Sequence, residues 1–200
     1  MAKKDRDELK ITTPEFRGSY VTLKKPRAFG DNPPKYSITI TLPDDDPFWD
    51  DLMGKVDAAA EKRWEGKIPK GMHVPIRHGD ETENEDWQDQ KFCQASSEDR
   101  PGIIDIDGED IIDFNELYSG AWYRASIRTY AWHYPQTNKK GVSLALDNVM
   151  KIRDDEPFSG RSSAADDFAE YVGGSKDKGS SKRKRRERGS RRGSSSNLVD

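Results

Sequence analysis

Residues 121–135 read Ala-Trp-Tyr-Arg-Ala-Ser-Ile-Arg-Thr-Tyr-Ala-Trp-His-Tyr-Pro, and they hold the clearest structural signal in the sequence. Its side chains alternate in character with a period of two, which predicts one long β-strand. One face of that strand carries residues suited to a packed interior: Ala121, Tyr123, Ala125, Ile127, Thr129 and Ala131. The other face carries four aromatic rings and two guanidinium groups: Trp122, Arg124, Ser126, Arg128, Tyr130, Trp132 and Tyr134.

The aromatic and basic face predicts a platform for single-stranded nucleic acid. Bases stack on aromatic side chains with about 1–3 kcal/mol per base, and arginine neutralises phosphate or stacks itself. The alternative is that a helix covers this face, with the rings as core and the arginines paired with carboxylates. Burying two arginines is costly unless both are paired, so the pattern favours a binding surface.

Other basic residues are candidates for the same surface. They are Lys24, Lys25 and Arg27 near the first turn, Lys67 and Lys70 after the helix, and Lys139 and Lys140 after the aromatic strand. Each of them is explained equally well as a solvated lysine or arginine.

The rest of the body predicts short strands and one amphipathic helix. Residues 20–23 and 35–42 are expected to form two strands joined by the turn at 30–34, and short strands are expected at 92–95, 103–106 and 111–112. Between them, apolar residues recur at helical spacing from Phe48 to Trp64, which predicts a helix that begins near Pro47 and stops before Gly66. Residues 79–91 are acidic and aperiodic, so we expect a loop. This order predicts a small β-barrel or a mixed α+β domain.

Charge divides the 200 residues into a body and a tail. Residues 1–153 hold 23 basic and 28 acidic residues, a net charge of −5. Residues 173–196 hold twelve Gly or Ser, ten Lys or Arg, and only two acids, Asp177 and Glu187. Such a segment cannot offset its ordering entropy by burial, so we predict a disordered basic tail. We therefore expect a folded domain at 1–153 and, at 154–200, an acidic and aromatic linker followed by the tail.

The linker, residues 154–171, alternates acids with single aromatic residues. It is either a docking motif for partner proteins or a solvated linker whose few hydrophobic side chains lie on the body. The basic tail that follows is expected to add a sequence-independent contact with nucleic acid.

Cysteine content and hydropathy restrict the location of the protein. Cys93 is the only cysteine, so no disulfide forms within the chain and a reducing compartment, the cytoplasm, is expected. The longest apolar runs are three residues, too short for a membrane span or a signal peptide.

Enzyme and metal functions find weak support in the sequence. The carboxylates of Asp105, Asp107, Glu109, Asp110 and Asp113 are dense enough for a two-metal nuclease, but their spacing scatters them around a turn. A zinc site from His73, His78, His133 and Cys93 lacks the usual paired spacing. No phosphate-binding loop is present. We expect no catalysis, no cofactor and no metal; a metal-dependent nuclease and a structural protein that packages nucleic acid with a basic arm remain alternatives.

Several segments resemble a family of bacteriophage single-stranded DNA-binding proteins, long known only as a domain of unknown function. They are Lys35-Tyr36-Ser37-Ile38-Thr39-Ile40, Ala95-Ser96-Ser97, Arg100-Pro101, Leu117-Tyr118-Ser119-Gly120-Ala121-Trp122-Tyr123-Arg124-Ala125-Ser126, Gly141-Val142-Ser143-Leu144-Ala145-Leu146 and Arg153-Asp154-Asp155-Glu156-Pro157-Phe158. The resemblance runs from about Lys10 to Phe168 and is most specific at residues 118–126.

The resemblance implies a mainly β, five-stranded OB-fold barrel that coats single-stranded DNA without sequence preference in phage replication, recombination or repair. Members usually end in an acidic segment that docks replication proteins. In this chain the acidic stretch is followed by a basic, Gly/Ser-rich extension, which departs from that pattern.

Overall fold

The computed structural model describes residues 7–28, 30, 32–84 and 87–158. Eight strands form one sheet: β1 (Lys10–Thr12), β2 (Phe16–Arg17), β3 (Tyr36–Pro43), β4 (Ile76–His78), β5 (Gln90–Ser97), β6 (Gly102–Ile104), β7 (Trp122–Tyr134) and β8 (Lys139–Arg153). A 17-residue helix, α1 (Phe48–Trp64), separates β3 from β4. Short 3-10 helices occupy Gly79–Glu81 and Phe114–Glu116.

The long strand predicted at residues 121–135 is β7, and its alternation works as expected. Tyr123, Ala125, Ile127 and Thr129 are all buried. The alternate residues of β7 are half-buried or exposed. β7 pairs antiparallel with β8 from Trp122–Arg153 to Tyr134–Lys139, and two register shifts bend the hairpin.

Five strands form the main path of the sheet, in the order β1-β7-β8-β5-β3. β5 and β8 are parallel, whereas the other pairs on this path are antiparallel. β1 and β3, the ends of this path, are not paired in the described structure; Ser19, which follows β2, forms an isolated antiparallel pair with Thr39 of β3. The fold is therefore mainly β with one long helix, as predicted, and the described strands do not close into a continuous barrel.

The predicted strands at residues 20–23 and 111–112 are wrong, because neither segment is a strand in the structure. Tyr20 has a left-handed backbone, with φ of 48°, which ends the extended run. The segment still follows β3, because the Thr22 N–H donates to the Ser37 carbonyl at 2.9 Å. The Val21 N–H instead donates to the Ser119 hydroxyl at 3.0 Å, which ties this turn to the start of β7.

Helix α1 has the predicted limits and covers the interior face of β7. Its buried side chains are Phe48, Trp49, Leu52, Val56, Ala59 and Ala60. On the β7 side, the hydroxyl of Thr129 donates to the Lys55 carbonyl at 3.0 Å. The alternative that a helix covers the aromatic and basic face of β7 is therefore wrong, because α1 lies on the opposite face.

Tyr123 is the largest of the fully buried side chains and anchors the start of β7. Its hydroxyl donates to the Tyr118 carbonyl at 2.9 Å and accepts the Tyr118 N–H at 3.0 Å. Burial raises the pKa of Tyr123 above its ordinary value, so the phenol stays protonated and keeps both bonds.

By its contacts the chain divides into a unit Met1–Gly160 and a unit Arg161–Asp200, and all elements above belong to the first. The predicted basic tail, residues 173–196, and most of the linker lie outside the described residues. Among the helices that the structure describes, none is long and apolar enough to cross a membrane.

Replacing Tyr123 with Phe should lower the free energy of unfolding by about 1–3 kcal/mol, because it leaves the Tyr118 backbone groups without their partner. Urea denaturation followed by circular dichroism measures the change. Tyr134→Phe is the matched control: Tyr134 is 58% exposed, so its loss should stay within about 0.5 kcal/mol. Equal effects of the two substitutions would contradict the anchoring role of Tyr123.

Candidate nucleic-acid interface

An open cleft of about 880 Å³ crosses the sheet from β7 to β3. Its lining includes Ser143 and Leu144 of β8, Gln94 and Ser96 of β5, and Thr39 of β3. The segment 73–87 adds His73, Pro75, Thr82 and Asn84. Aromatic side chains occupy both sides of this cleft, and we define them as two groups.

The β7 aromatic group consists of Tyr130, Trp132 and Tyr134, all three of which the sequence predicted for a binding surface. The rings of Trp132 and Tyr134 lie with centroids 5.0 Å apart. The indole N–H of Trp132 donates to the hydroxyl of Ser143 at 2.8 Å. Because this bond satisfies the polar edge of the ring, the indole is held in one orientation on the cleft surface.

The β5 aromatic group consists of Tyr20, Trp87 and Phe92. Trp87 packs on Phe92 with centroids 4.7 Å apart and meets Tyr20 edge-on at 5.9 Å. The guanidinium of Arg77 lies 5.2 Å from the centre of the Phe92 ring. Sequence reasoning missed this group, since Trp87 lies in the loop predicted at 79–91; a lone tryptophan among acids was the available signal.

The cations that line the cleft have carboxylate partners. Arg77 pairs with Glu81 at 3.6 Å, and Lys35 pairs with Glu98 at 3.5 Å. These pairs are at least one-third exposed, so each contributes about 0–1 kcal/mol and is open to exchange with phosphate. Glu83 lines the same side of the cleft.

The first half of the predicted face, Trp122 to Arg128, precedes the cleft on β7. Its two arginines are paired with carboxylates, Arg124 with Glu15 at 3.5 Å and Arg128 with Asp147 at 3.3 Å. The ring of Trp122 carries the guanidinium of Arg153 at 4.1 Å from its centre. On this face of β7, Trp122, Arg124 and Arg128 are therefore engaged with charged partners, whereas Tyr130, Trp132 and Tyr134 line the cleft.

The predicted basic residues outside β7 are dispersed. The Lys24 ammonium donates to the side chain of Asn115, and Lys25 is exposed beside it. Arg27 pairs through its backbone with Lys35, a cleft residue that sequence reasoning did not select.

Lys139 and Lys140 begin β8, opposite Tyr134 and His133 respectively. Directly opposite residues of an antiparallel pair share a face, so Lys139 lies on the cleft face and Lys140 on the other.

Residues 154–158, which we call the strap, lie against the start of β7. The carboxylate of Asp155 accepts the indole N–H of Trp122 at 2.8 Å and pairs with Arg17 at 3.5 Å. The Arg17 guanidinium also donates to the Glu156 carbonyl at 2.8 Å and lies over the ring of Phe158.

Gly120 permits the close approach of the strap. Its φ is +115°, and a Cβ at this position would lie 2.3 Å from the Glu156 carbonyl oxygen. The beginning of the predicted linker is therefore ordered on the body.

Both aspartates of the strap have lowered pKa values. The hydrogen bond from the Trp122 indole is the main cause for Asp155, and the contact with the Lys151 ammonium, at 2.8 Å, is the main cause for Asp154. Asp154 also accepts the hydroxyl of Tyr118, whose own pKa is raised mainly by burial. The contacts of the strap with Trp122 and Lys151 are therefore strongest when both carboxylates are charged.

Among the described residues, no group of three or more His, Cys, Asp and Glu could hold a metal ion. The carboxylate of Asp105 accepts the backbone N–H groups of Asp107 and Glu109 at 2.9 Å, so it shapes the turn at Gly108. Cys93 is buried in the core, where burial raises the pKa of its thiol.

The strand path and the cleft across it define an OB-fold domain, in which the second and third strands and the loops at the barrel mouth form the oligonucleotide-binding face. In chain order, the second and third strands of the main path are β3 and β5. Residues 9–178 match the family described as the Enterobacter phage Enc34 single-stranded DNA-binding protein. The chain belongs to this family, as the resemblance predicted.

Solved structures of related proteins have the same fold. The single-stranded DNA-binding protein of bacteriophage Enc34, solved in complex with single-stranded DNA, is 26% identical, with a TM-score of 0.66 over 75% of this chain and 89% of that one. The single-stranded DNA-binding protein gp2.5 of bacteriophage T7 is 16% identical, with a TM-score of 0.55 over 86% of this chain and 98% of that one, and shows the fold alone.

A relative named p50, from Acyrthosiphon pisum secondary endosymbiont phage 1, is 30% identical over 86 residues. The match covers 42% of this chain and 45% of the relative, so the chain matches less than half of that protein's length.

Acidification should release the strap. Both aspartates have pKa values below the ordinary value of about 3.9. The contacts that the two carboxylates make are therefore fully formed above that pH and are lost as the pH falls through the lowered values. The indole N–H resonance of Trp122, assigned with Trp122→Phe, should shift below about pH 4 towards its position in Asp155→Ala.

The indole resonance of Trp132 is the internal control, because its partner is the neutral hydroxyl of Ser143. A Trp122 resonance that Asp155→Ala leaves in place at pH 7 would contradict the bond to Asp155.

Proposed function

We propose that this protein binds single-stranded DNA without sequence preference and coats it in phage replication, recombination or repair. The observation that carries the proposal is the pair of aromatic groups on the two sides of a cleft across the OB face. Membership of the Enc34 family supports it, as does the related protein solved with single-stranded DNA.

Stacking is the main source of affinity in this proposal. The rings that line the cleft supply stacking surfaces, each worth about 1–3 kcal/mol per base, and every base has a π-face, so the contact tolerates any sequence. The bases of a duplex are stacked on one another and unavailable to these rings. The preference for single strands follows from this difference.

The basic residues have a secondary role. Arg77 and Lys35 are within the cleft but already paired with carboxylates, so a phosphate must replace Glu81 or Glu98 to reach them. The sequence-based prediction that Trp122, Arg124, Arg128, Lys24, Lys25, Arg27, Lys139 and Lys140 contact DNA remains a prediction. The cleft favours Tyr130, Trp132 and Tyr134 as the centre of the site.

We further propose that the protein is not an enzyme, needs no cofactor and acts in the cytoplasm of the host cell. Proteins of phage replication or recombination are its proposed partners through residues 154–171. Incubation with labelled single-stranded DNA and Mg²⁺ tests the nuclease alternative: intact DNA supports the coating function, whereas cleavage that Asp105→Asn abolishes would replace it.

Trp132→Ala and Trp87→Ala should each weaken binding to a single-stranded oligonucleotide by about 1–3 kcal/mol with little change in the salt dependence, because stacking releases few ions. Fluorescence anisotropy of a labelled oligonucleotide at several salt concentrations measures both quantities.

Trp122→Ala is the matched control for this test. Trp122 has the same side chain on the same strand, but its ring is occupied by Arg153 and Asp155, so its loss should be smaller. A loss equal to that of Trp132→Ala would show that the strand runs along β7, as the sequence pattern predicted, rather than across the sheet.

Removal of residues 172–200 should leave the preference for single strands intact, because the stacking surfaces lie in the body. Affinity should fall at low salt, most for duplex DNA, and the difference should fade at high salt as screening removes a Coulombic contact. If the truncated protein lost single-strand binding at every salt concentration, the structural protein with a basic arm would be the better explanation.

A further inference from the structure

The loop that carries Trp87 brings negative charge to a cleft proposed to hold a polyanion. The described part of this loop includes Asp80, Glu81, Glu83 and Asp89. Glu83 lines the cleft beside Trp87. The cations on this side do not offset the charge fully, because Arg77 is engaged with Glu81 and Lys35 with Glu98.

The β7 side of the cleft has the opposite character. Lys139 is the register partner of Tyr134 and shares its face. In the described part of the chain, no ion pair joins Lys139 to a carboxylate. His73 lies next to Trp132, with ring centroids 6.1 Å apart, and adds no negative charge to this side.

A single strand and a duplex respond differently to this asymmetry. A single strand has one backbone and rotates freely, so it can direct its phosphates to the Lys139 side and its bases to Trp87 and Phe92. A duplex has a backbone on each side and one negative charge per about 1.7 Å of axis, so it brings phosphates to both sides at once. Only the duplex must place phosphates against Glu83.

We propose that Glu83 is a specificity-determining residue that excludes duplex DNA from the cleft and orients the backbone of a single strand towards Lys139. This inference rests on the proposed function and deepens it. Stacking gives the protein its affinity for bases, and the acidic side of the cleft opposes the phosphates of the second strand.

Glu83→Gln tests the proposal, since it removes the charge and keeps the shape of the side chain. Two unit charges 4 Å apart in water interact by about 1 kcal/mol, which is about fivefold in affinity. Duplex affinity should therefore rise up to about fivefold, and single-strand affinity should rise less. The gain should shrink at high salt, because the screening length falls to about 3 Å at 1 M.

Glu109→Gln is the matched control. It makes the same change in net charge at the exposed turn after β6, outside the cleft lining. Titrations of the full chain with a single-stranded oligonucleotide and with its duplex, at two salt concentrations, give the ratio of affinities for each variant.

Lys139→Gln is the complementary variant. It should weaken single-strand binding and lower the slope of log affinity against log salt by about 0.7, the value for one phosphate contact on a single strand.

The outcomes separate the two proposals. A wild-type protein that shows no preference for single strands would overturn the proposed function itself. A wild-type protein with that preference, in which Glu83→Gln and Glu109→Gln change the ratio of affinities equally, would keep the function and overturn the role of Glu83. An unchanged salt slope in Lys139→Gln would overturn the orientation of the backbone.

Discussion

The sheet is built outward from the pairing of β7 with β8. This pairing runs the whole length of β7, and β8 then uses its other edge for His73, β5 and β6 in succession. Because backbone groups inside a fold must be paired, one 15-residue strand organises most of the barrel. The interior face of β7 supplies the core beneath it, with Tyr123 and Ile127 fully buried.

The same hairpin forms both the core and the cleft. Side chains of a strand point alternately to its two faces. Every second residue of β7 is buried in the core, so the residues between them point to the outer face. Near the end of β7 these residues line the same cleft as Phe92 of β5 and Trp87. The candidate site therefore depends on strand order: the two aromatic groups share one cleft because β5 lies beside β8, and β8 beside β7.

The electrostatics of the surface differ from those of a simple basic groove. Arg77, Arg124 and Arg128 are each within 4 Å of a carboxylate oxygen, as is Lys35. The pairs of Arg77, Arg124 and Lys35 are at least one-third exposed, so they are weak and can exchange with other anions, whereas the Arg128–Asp147 pair is more buried. In the proposed function the rings therefore set the preference of the cleft, and a net acidic body is compatible with binding to DNA.

Elements with strong local signals could be predicted from the amino-acid sequence alone. Strict alternation predicted β7, and apolar spacing predicted α1 with its limits at Pro47 and Gly66, because both periods arise from local backbone geometry. Family membership was also readable from local motifs, above all residues 118–126. Tyr130, Trp132 and Tyr134 were identifiable as candidate residues for the same reason, since they recur on one face of a strand.

Which side chains share the cleft depends on tertiary contacts. Trp87 packs on Phe92, which follows it closely in the chain, but it also meets Tyr20, which comes from a distant part of the sequence. The partners that occupy Trp122, Arg124 and Arg128 come from the strap, from Glu15 and from Asp147, and no local pattern contains them. The period of a sequence pattern specifies which face of a strand a residue occupies. The order of the strands in the sheet determines which other residues lie beside it on that face.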